Sequence, residues 1–277
     1  MRMIAKIIML SLIFLSSNSI AETPNAQKIV EKAYNTKRVD DQVSTLTFYF
    51  TPAGKKEMKV VYTMIWKNMH GKKGLDNKAI FFTEYPPDRK GIAYLGWLVS
   101  AGSAKQDDEW IYLPELRMTR RIAKRSKQVA NDADEFGNSI LTREHLDPRP
   151  PHIDDHTLLN EEMLNGKVHY RISSIANDQD HGRSERTTSK IIQWVDKESY
   201  RINRMQFFSK QGIEVVDMKI TWEKIKGYWV WQAVEATNPE NGAKTSLEIS
   251  NTKINSKLKD RVFTKRILEK GPGRIIK

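Results

Sequence analysis

The stretch from Arg117 to Lys127 carries Arg117, Arg120, Arg121, Lys124, Arg125 and Lys127. An arginine presents a planar fork of N–H donors that matches carboxylate and phosphate oxygens two at a time, which a lysine cannot do. Arg117, Arg120 and Arg121 are therefore the candidate contacts for lipid headgroups, a bilayer surface or an acidic patch on a partner. The competing reading of the same run is a solvated strand face. Further along stand His145, His152 and His156 with Asp154 and Asp155. His152 and His156 have the spacing of neighbours on one helical face, and Pro150-Pro151 suits the start of such a helix. A zinc site needs a third ligand and an oriented base, and no HExxH pattern supplies them. A polar surface loop is the simpler reading, so no metal and no cofactor is expected. Covalent catalysis lacks its usual groups: there is no Cys and no G-x-S-x-G turn, and no carboxylate pair has the context of a glycosidase. The chain reads as a binding protein and not as an enzyme.

The elements that must position these groups are mostly strands. One amphipathic helix comes first, over Pro24–Arg38. It sets Ala26, Ile29, Val30, Ala33 and Tyr34 opposite Lys28, Glu31 and Lys32, with Pro24 in its first turn. The period then changes to two. Leu46, Phe48 and Phe50 alternate with Thr45, Thr47 and Tyr49; Pro52 to Lys55 turns; and Val60, Tyr62, Met64 and Trp66 alternate with Lys59, Val61, Thr63 and Ile65. Near the C-terminus Val216, Met218, Ile220 and Trp222 form another such face, and Leu247 and Ile249 a further one. Strand candidates lie between them at 79–84, 92–99, 109–113, 157–163, 167–176, 189–196 and 201–208. Short strands joined by tight turns predict an antiparallel sheet with one apolar and one wet face. No alternation of strand and helix suggests a nucleotide-binding fold. The exception is Lys124 to Pro151, charged and without period. It predicts a loop with one short helix near Asn131–Phe136, of the kind that serves as a lid or binding loop.

The chain has 277 residues, a formal charge of +12 and no Cys. Met1 to Ala21 has the three parts of a secretory signal peptide: Arg2 and Lys6, an apolar run from Ile7 to Leu15, and Ser19-Ile20-Ala21 as the small-residue cleavage site. Cleavage after Ala21 leaves residues 22–277, read as one domain in the periplasm. The apolar run is too short for a permanent span, which needs about 20 residues. Nucleic acid is an improbable partner for a secreted chain, whatever its charge.

Asp107-Asp108-Glu109-Trp110-Ile111-Tyr112-Leu113-Pro114-Glu115-Leu116-Arg117-Met118-Thr119-Arg120-Arg121-Ile122 resembles the W-x-Y-L-P-x-L-R-x-x-R-R-I signature of outer-membrane lipoprotein-sorting-protein-like chains, in the superfamily of the periplasmic carrier LolA. Pro87 to Leu95 is similar to that family's strand entry. Where relatives carry a Gly-Ser-Asp-type motif, this chain has Phe136-Gly137-Asn138-Ser139. The resemblance implies a mainly β fold: a strongly curved antiparallel sheet forming a half-open barrel, with the N-terminal helix and a short helix or loop as its lid. It also implies an apolar cavity for acyl chains. On that reading Phe48, Phe50, Tyr62, Met64, Trp66, Met218, Ile220, Trp222, Leu247 and Ile249 line the cavity, a use that suits adaptable Met and aromatic side chains; a plain packed core is the competing reading of the same residues. Strand alternation sets Arg117 and Arg121 on one face and Arg120 on the other, toward the cavity. Two functions remain open. One is a carrier of lipoprotein acyl chains or phospholipid that makes transient membrane contact. The other is a lipid sensor or accessory subunit bound to an inner-membrane exporter or other envelope partner.

Overall fold

The computed structural model describes residues 25–36, 39–100, 103–122, 139–147, 149–180 and 186–275. The leader expected over 1–21, Pro24, Lys124, Arg125, Lys127 and the short helix expected near Asn131–Phe136 lie outside these residues. The first helix, α1 (Ala26–Tyr34), begins at Asn25, whose side-chain oxygen accepts the Lys28 N–H at 3.1 Å. Six strands follow: β1 (Asp41–Thr51), β2 (Met58–Asn68), β3 (Asn77–Tyr85), β4 (Ala93–Leu98), β5 (Asp108–Leu113) and β6 (Met118–Arg121). A one-turn helix, α2 (Arg143–Leu146), precedes seven more: β7 (Asp154–Leu164), β8 (Lys167–Ala176), β9 (Thr188–Asp196), β10 (Ile202–Ser209), β11 (Glu214–Ile225), β12 (Tyr228–Thr237) and β13 (Lys244–Ile254). A short helix, α3 (Lys265–Lys270), closes the chain. Among the described residues no helix is long and apolar enough to cross a membrane.

All thirteen strands form one antiparallel sheet, in the order β6-β5-β4-β3-β2-β1-β13-β12-β11-β10-β9-β8-β7. It is two meanders, β1 to β6 and β7 to β13, joined where β1 pairs with β13 (Phe48 opposite Leu247, Leu46 opposite Ile249). Tight turns make the meanders possible. Asn165-Gly166 and Lys226-Gly227 each hold two consecutive residues at positive φ, the twist that a two-residue hairpin requires. The sheet curves without closing into the expected half-open barrel, so β6 and β7 are its free edges. This topology has a consequence for the middle of the chain. Of the residues between these two opposite edges, the described 139–147 and 149 lie over the open side of the barrel.

The concave side holds the larger core, with Leu46, Phe48, Phe50, Val60, Phe207, Met218, Val234 and Leu247 buried together under Leu141 of the crossing segment. At the β7 side α1 packs Ile29 and Val30 against Tyr170, Ile172 and Val195. The opposite face is not wet along its whole length, as alternation had suggested. Val43, Ile65, Ile80, Phe82, Ala93 and Leu95 form a second core there, capped by Phe263 and Leu268 of the C-terminal segment. Strands β2 to β4 thus bury their outer face and turn the other to the concave side.

Candidate functional site

The concave side leaves a cavity of about 750 Å³, within the range of ligand-binding sites. Its wall comes from both meanders, from α1 through Val30, Ala33 and Tyr34, and from the crossing segment. Seven of the ten apolar residues expected to line it do so: Tyr62, Met64, Trp66, Ile220, Trp222, Leu247 and Ile249. Phe48, Phe50 and Met218 do not. They are at most 3% exposed and lie in the packed core, because alternation fixes the face of a strand but not the depth along it. Sequence reasoning missed Phe81, Tyr94, Ile111, Met205 and Trp231. The first three belong to strands that were found but whose inner faces were not assigned. Register supplies that assignment, since Met64 pairs with Phe81, Phe81 with Tyr94 and Tyr94 with Ile111 across the same face. The rings of Phe48, Tyr62, Phe81 and Tyr94 run side by side, with successive centroids 6.0, 6.2 and 5.9 Å apart. Burial pushes the Tyr62 hydroxyl up to about 12, so this wall stays uncharged.

Residues 139–147 and Arg149 form a strap across the cavity, tied at four places. Thr245 Oγ1 accepts the Ile140 N–H at 3.1 Å on β13. Arg143 donates to Asp107, just before β5, and to Asp147 at 2.6 Å. Burial alone would favour neutral Arg143, but Asp147 and Asp107 overcome this and hold it firmly charged. Glu144 accepts the N–H groups of Thr187 and Thr188, each at 3.1 Å, and both their hydroxyls, reaching the start of β9. Burial raises the Glu144 pKa, yet those donors bring it below the ordinary carboxylate range. Arg149 pairs with Asp154 on edge strand β7 and lies 3.7 Å from Asp180, which Arg186 holds at 2.6 Å. The strap thereby links one side of the open sheet to the other.

The histidines do not gather. Residues 154–164 are strand, so the helical face expected for His152 and His156 does not form. His152 is exposed, whereas His156 donates from Nε2 to the Pro151 carbonyl at 2.9 Å and accepts from Ser174 at Nδ1, 2.8 Å away. Asp154 is 4% exposed and belongs to a buried ion pair, not to a polar surface loop; burial raises its pKa to about 6, with Arg149 and Arg186 opposing. His145 is also buried. Its Nδ1 accepts the Thr142 N–H at 3.0 Å and its ring meets Phe207 edge-on at 4.6 Å.

Burial lowers the His145 pKa to about 4, and Glu144 only partly restores it. A folded pKa below the ordinary value of about 6.5 means that the unfolded chain takes up the proton first as pH falls. His145 thus favours folding above about pH 6.5, and that contribution is lost as pH falls toward 4. His145→Asn preserves an acceptor for Thr142 but does not titrate. Chemical denaturation at pH 7 and pH 4.5 should show the wild type losing on the order of 2 kcal/mol relative to the variant at the lower pH. An equal loss in both proteins would refute the buried neutral imidazole.

The turn at Pro114–Leu116 leads into the basic run. Arg117 ends that turn at φ 46° and lies outside the strand. Arg121 is paired with Asp108. Arg120 sits opposite Ile111, on the concave face as alternation implied, but it is exposed, its Nε is 3.1 Å from the Met118 sulfur, and it is not part of the cavity wall.

The fold of this chain is similar to solved structures described as an outer membrane lipoprotein-sorting protein domain and a LolA superfamily protein. An outer membrane lipoprotein-sorting protein domain from Vibrio parahaemolyticus superposes with a TM-score of 0.73 at 21% identity, over 88% of this chain and 98% of that one. A DUF1329 family protein from Desulfovibrio piger gives 0.75 at 24% identity, over 88% and 97%. A LolA superfamily protein from Nitrosomonas europaea gives 0.62 at 18%, over 88% and 100%. No curated protein matches the chain. Residues 75–270 match the model of a family whose description is "Uncharacterized protein", and the chain belongs to that family.

Proposed function

We propose that this protein is a periplasmic carrier, secreted by removal of residues 1–21 and acting as one domain over 22–277. It binds acyl chains of lipoproteins or lipids in the concave cavity and moves them between envelope membranes without chemical change. The observation that carries this reading is the cavity itself: about 750 Å³, walled by Met64, Trp66, Phe81, Ile220, Trp222 and Leu247, and crossed by a strap. Each methylene taken from water contributes about 0.8 kcal/mol, so one long chain would be held without any polar contact. The test is uptake of a fluorescent acyl probe by delipidated protein and its release to acceptor vesicles. Saturable uptake with transfer is expected; no uptake would refute a carrier, and uptake into a stable protein complex without transfer would favour a sensor.

Membrane contact is assigned to the β5–β6 turn. Leu116 and Met118 are 55% and 43% exposed there, beside Arg117 and Arg120, a pairing suited to an anionic interface. Because Arg121 is engaged by Asp108, Arg117 and Arg120, which make no ion pair among the described residues, should carry most of the attraction. Near an anionic surface each contributes roughly 1 kcal/mol, so the Arg117→Gln/Arg120→Gln double variant should co-sediment with anionic vesicles on the order of thirtyfold more weakly. It should also lose most of the wild type's salt dependence, since exposed charges are screened over about 8 Å in physiological salt. An unchanged salt profile would return the run to a solvated strand face.

A further inference from the structure

One arginine of the cavity wall is held in place yet has no carboxylate of its own. Arg143 and Arg149 are paired with acids, and Arg89 is exposed on the turn after β3, where no described residue hydrogen-bonds its side chain. Arg201, just before β10, makes no ion pair among the described residues. Its guanidinium carbon lies 3.6 Å from the centre of the Trp229 ring, and its Nε donates to Ser199 Oγ at 3.0 Å. An arginine stacked in this way has its face covered and its edge free, and that edge meets a carboxylate or phosphate with two parallel bonds. The two Nη nitrogens have no acceptor among the described residues. They are not sealed in the protein, since Arg201 is only partly buried and neither nitrogen is enclosed.

The turn that presents Arg201 is fixed by bonds of its own. Buried Asp196 accepts the Ser199 N–H at 2.7 Å, the Ser199 hydroxyl at 2.8 Å and the Glu198 N–H at 3.0 Å, and its backbone N–H donates to the Arg201 carbonyl at 2.9 Å. Asp196 is the carboxylate that acts on Arg201, but it lies beyond ion-pair distance and is committed to the turn. Two more cations flank the stack. Lys224 sits opposite Trp229 across β11 and β12, with Nζ 5.6 Å from the same ring. Lys32 of α1 lies 4.7 Å over the Tyr200 ring. Neither lysine makes an ion pair among the described residues, with Glu31, Glu198 and Glu223 included, whereas Lys197 is taken by Glu161. Tyr200, Arg201 and Trp229 belong to the cavity wall, Lys32 and Lys224 are exposed, and Trp222 and Trp231 continue the aromatic surface. The cluster thus stands where the apolar space meets water.

We infer that Arg201, stacked on Trp229 at the rim of the cavity, binds the oxyanion at the head of an acyl ligand, a carboxylate or a phosphate, with Lys32 and Lys224 adding to its field. The inference rests on the acyl-binding reading and adds the chemistry of the ligand's polar end and the place that receives it.

The experiment sets three ligands of equal chain length, palmitate, palmitoyl lysophosphatidate and methyl palmitate, in competition with a neutral fluorescent acyl probe on delipidated protein. The wild type should bind at least one anion about tenfold to a hundredfold more tightly than the methyl ester, the scale of charge-assisted hydrogen bonds. That preference should shrink as salt rises. Preference for palmitate alone identifies a carboxylate head, and preference for the lysophosphatidate alone a phosphate head. In Arg201→Gln the preference should fall toward unity with methyl palmitate affinity unchanged; Arg201→Lys, which keeps the charge without the fork, should retain only part of it. Lys244→Gln removes the same charge opposite Thr237, at the far end of β12 from Trp229, and should select as wild type does. The head group of the preferred anion, followed by carbon-13 or phosphorus-31 NMR while bound to wild-type protein, gives a readout independent of any variant. It should ionise at lower pH than in the free ligand, because a neighbouring cation favours the charged form whereas burial alone would oppose it. Equal affinity for anions and ester, a preference that survives Arg201→Gln or is lost instead in Arg89→Gln, or a head group that ionises at higher pH would each overturn the rim site while leaving acyl binding intact. Failure of every ligand and of the probe to bind would overturn both readings.

Discussion

Trp222→Asp and Trp66→Asp are each expected to abolish acyl-probe binding in protein that still folds. Trp222 donates its indole N–H to the Ile202 carbonyl at 3.0 Å and meets Trp231 edge-on at 6.1 Å, with part of its surface left to the cavity. Trp66 packs beside Val39 and Ile254 and faces the same space. Both are only partly buried, which separates them from Phe48 or Met218, whose replacement would open the packed core. A carboxylate in the wall would either meet an acyl chain without solvation or hold water where the chain should lie. Either costs several kcal/mol, enough for a loss of a hundredfold or more. Circular dichroism and thermal melts accompany the binding assay. Variants that unfold would make these residues core, and folded variants that bind as wild type would remove them from the site.

The second large effect concerns the strap's anchor. Arg149→Met should destabilise the protein by about 3–5 kcal/mol, the usual result of removing one member of a buried ion pair. It leaves Asp154, 4% exposed, without its guanidinium, whereas Asp180 retains Arg186. Adding Asp154→Asn should therefore recover a substantial part of the loss, because the uncompensated charge is gone. Denaturant midpoints of the wild type, single and double variants provide the measurement. A single variant within 1 kcal/mol of wild type, or a double variant worse than the single, would contradict the account of a buried pair tying the strap to β7.

Much of this architecture can be read locally. Hairpin turns and the alternation at Leu46-Phe48-Phe50 or Ile220-Trp222 are properties of a few adjacent residues, so strand existence and an apolar face follow from the sequence, whereas the curvature that makes that face concave was implied only by the family resemblance. Depth does not, which is why Phe48, Phe50 and Met218 fall in the core while Tyr62 and Trp222 reach the cavity. Burial of the opposite face was partly signalled by Ile65, an apolar residue in the supposedly wet set, but its cover comes from Phe263 and Leu268, nearly two hundred residues away. The strap is a topological result. Only when β6 and β7 are known to be opposite edges can residues 139–147 and Arg149, between them in the chain, be expected over the mouth. Its arginines then find Asp107, Asp154 and Asp180, partners that no local pattern pairs with them. Arg117 could have been placed better, since Pro114 just before it marks the turn that removes it from the strand.

The most direct test of the acyl-carrier reading is native mass spectrometry, with lipid extraction, of the full-length gene product secreted by and purified from its own envelope. A mass increment matching an acylated lipid, displaced by an acyl probe and diminished in Trp222→Asp, is the expected result. Protein that carries no lipid, and whose delipidated form takes up no acyl chain into the cavity of about 750 Å³, would contradict it.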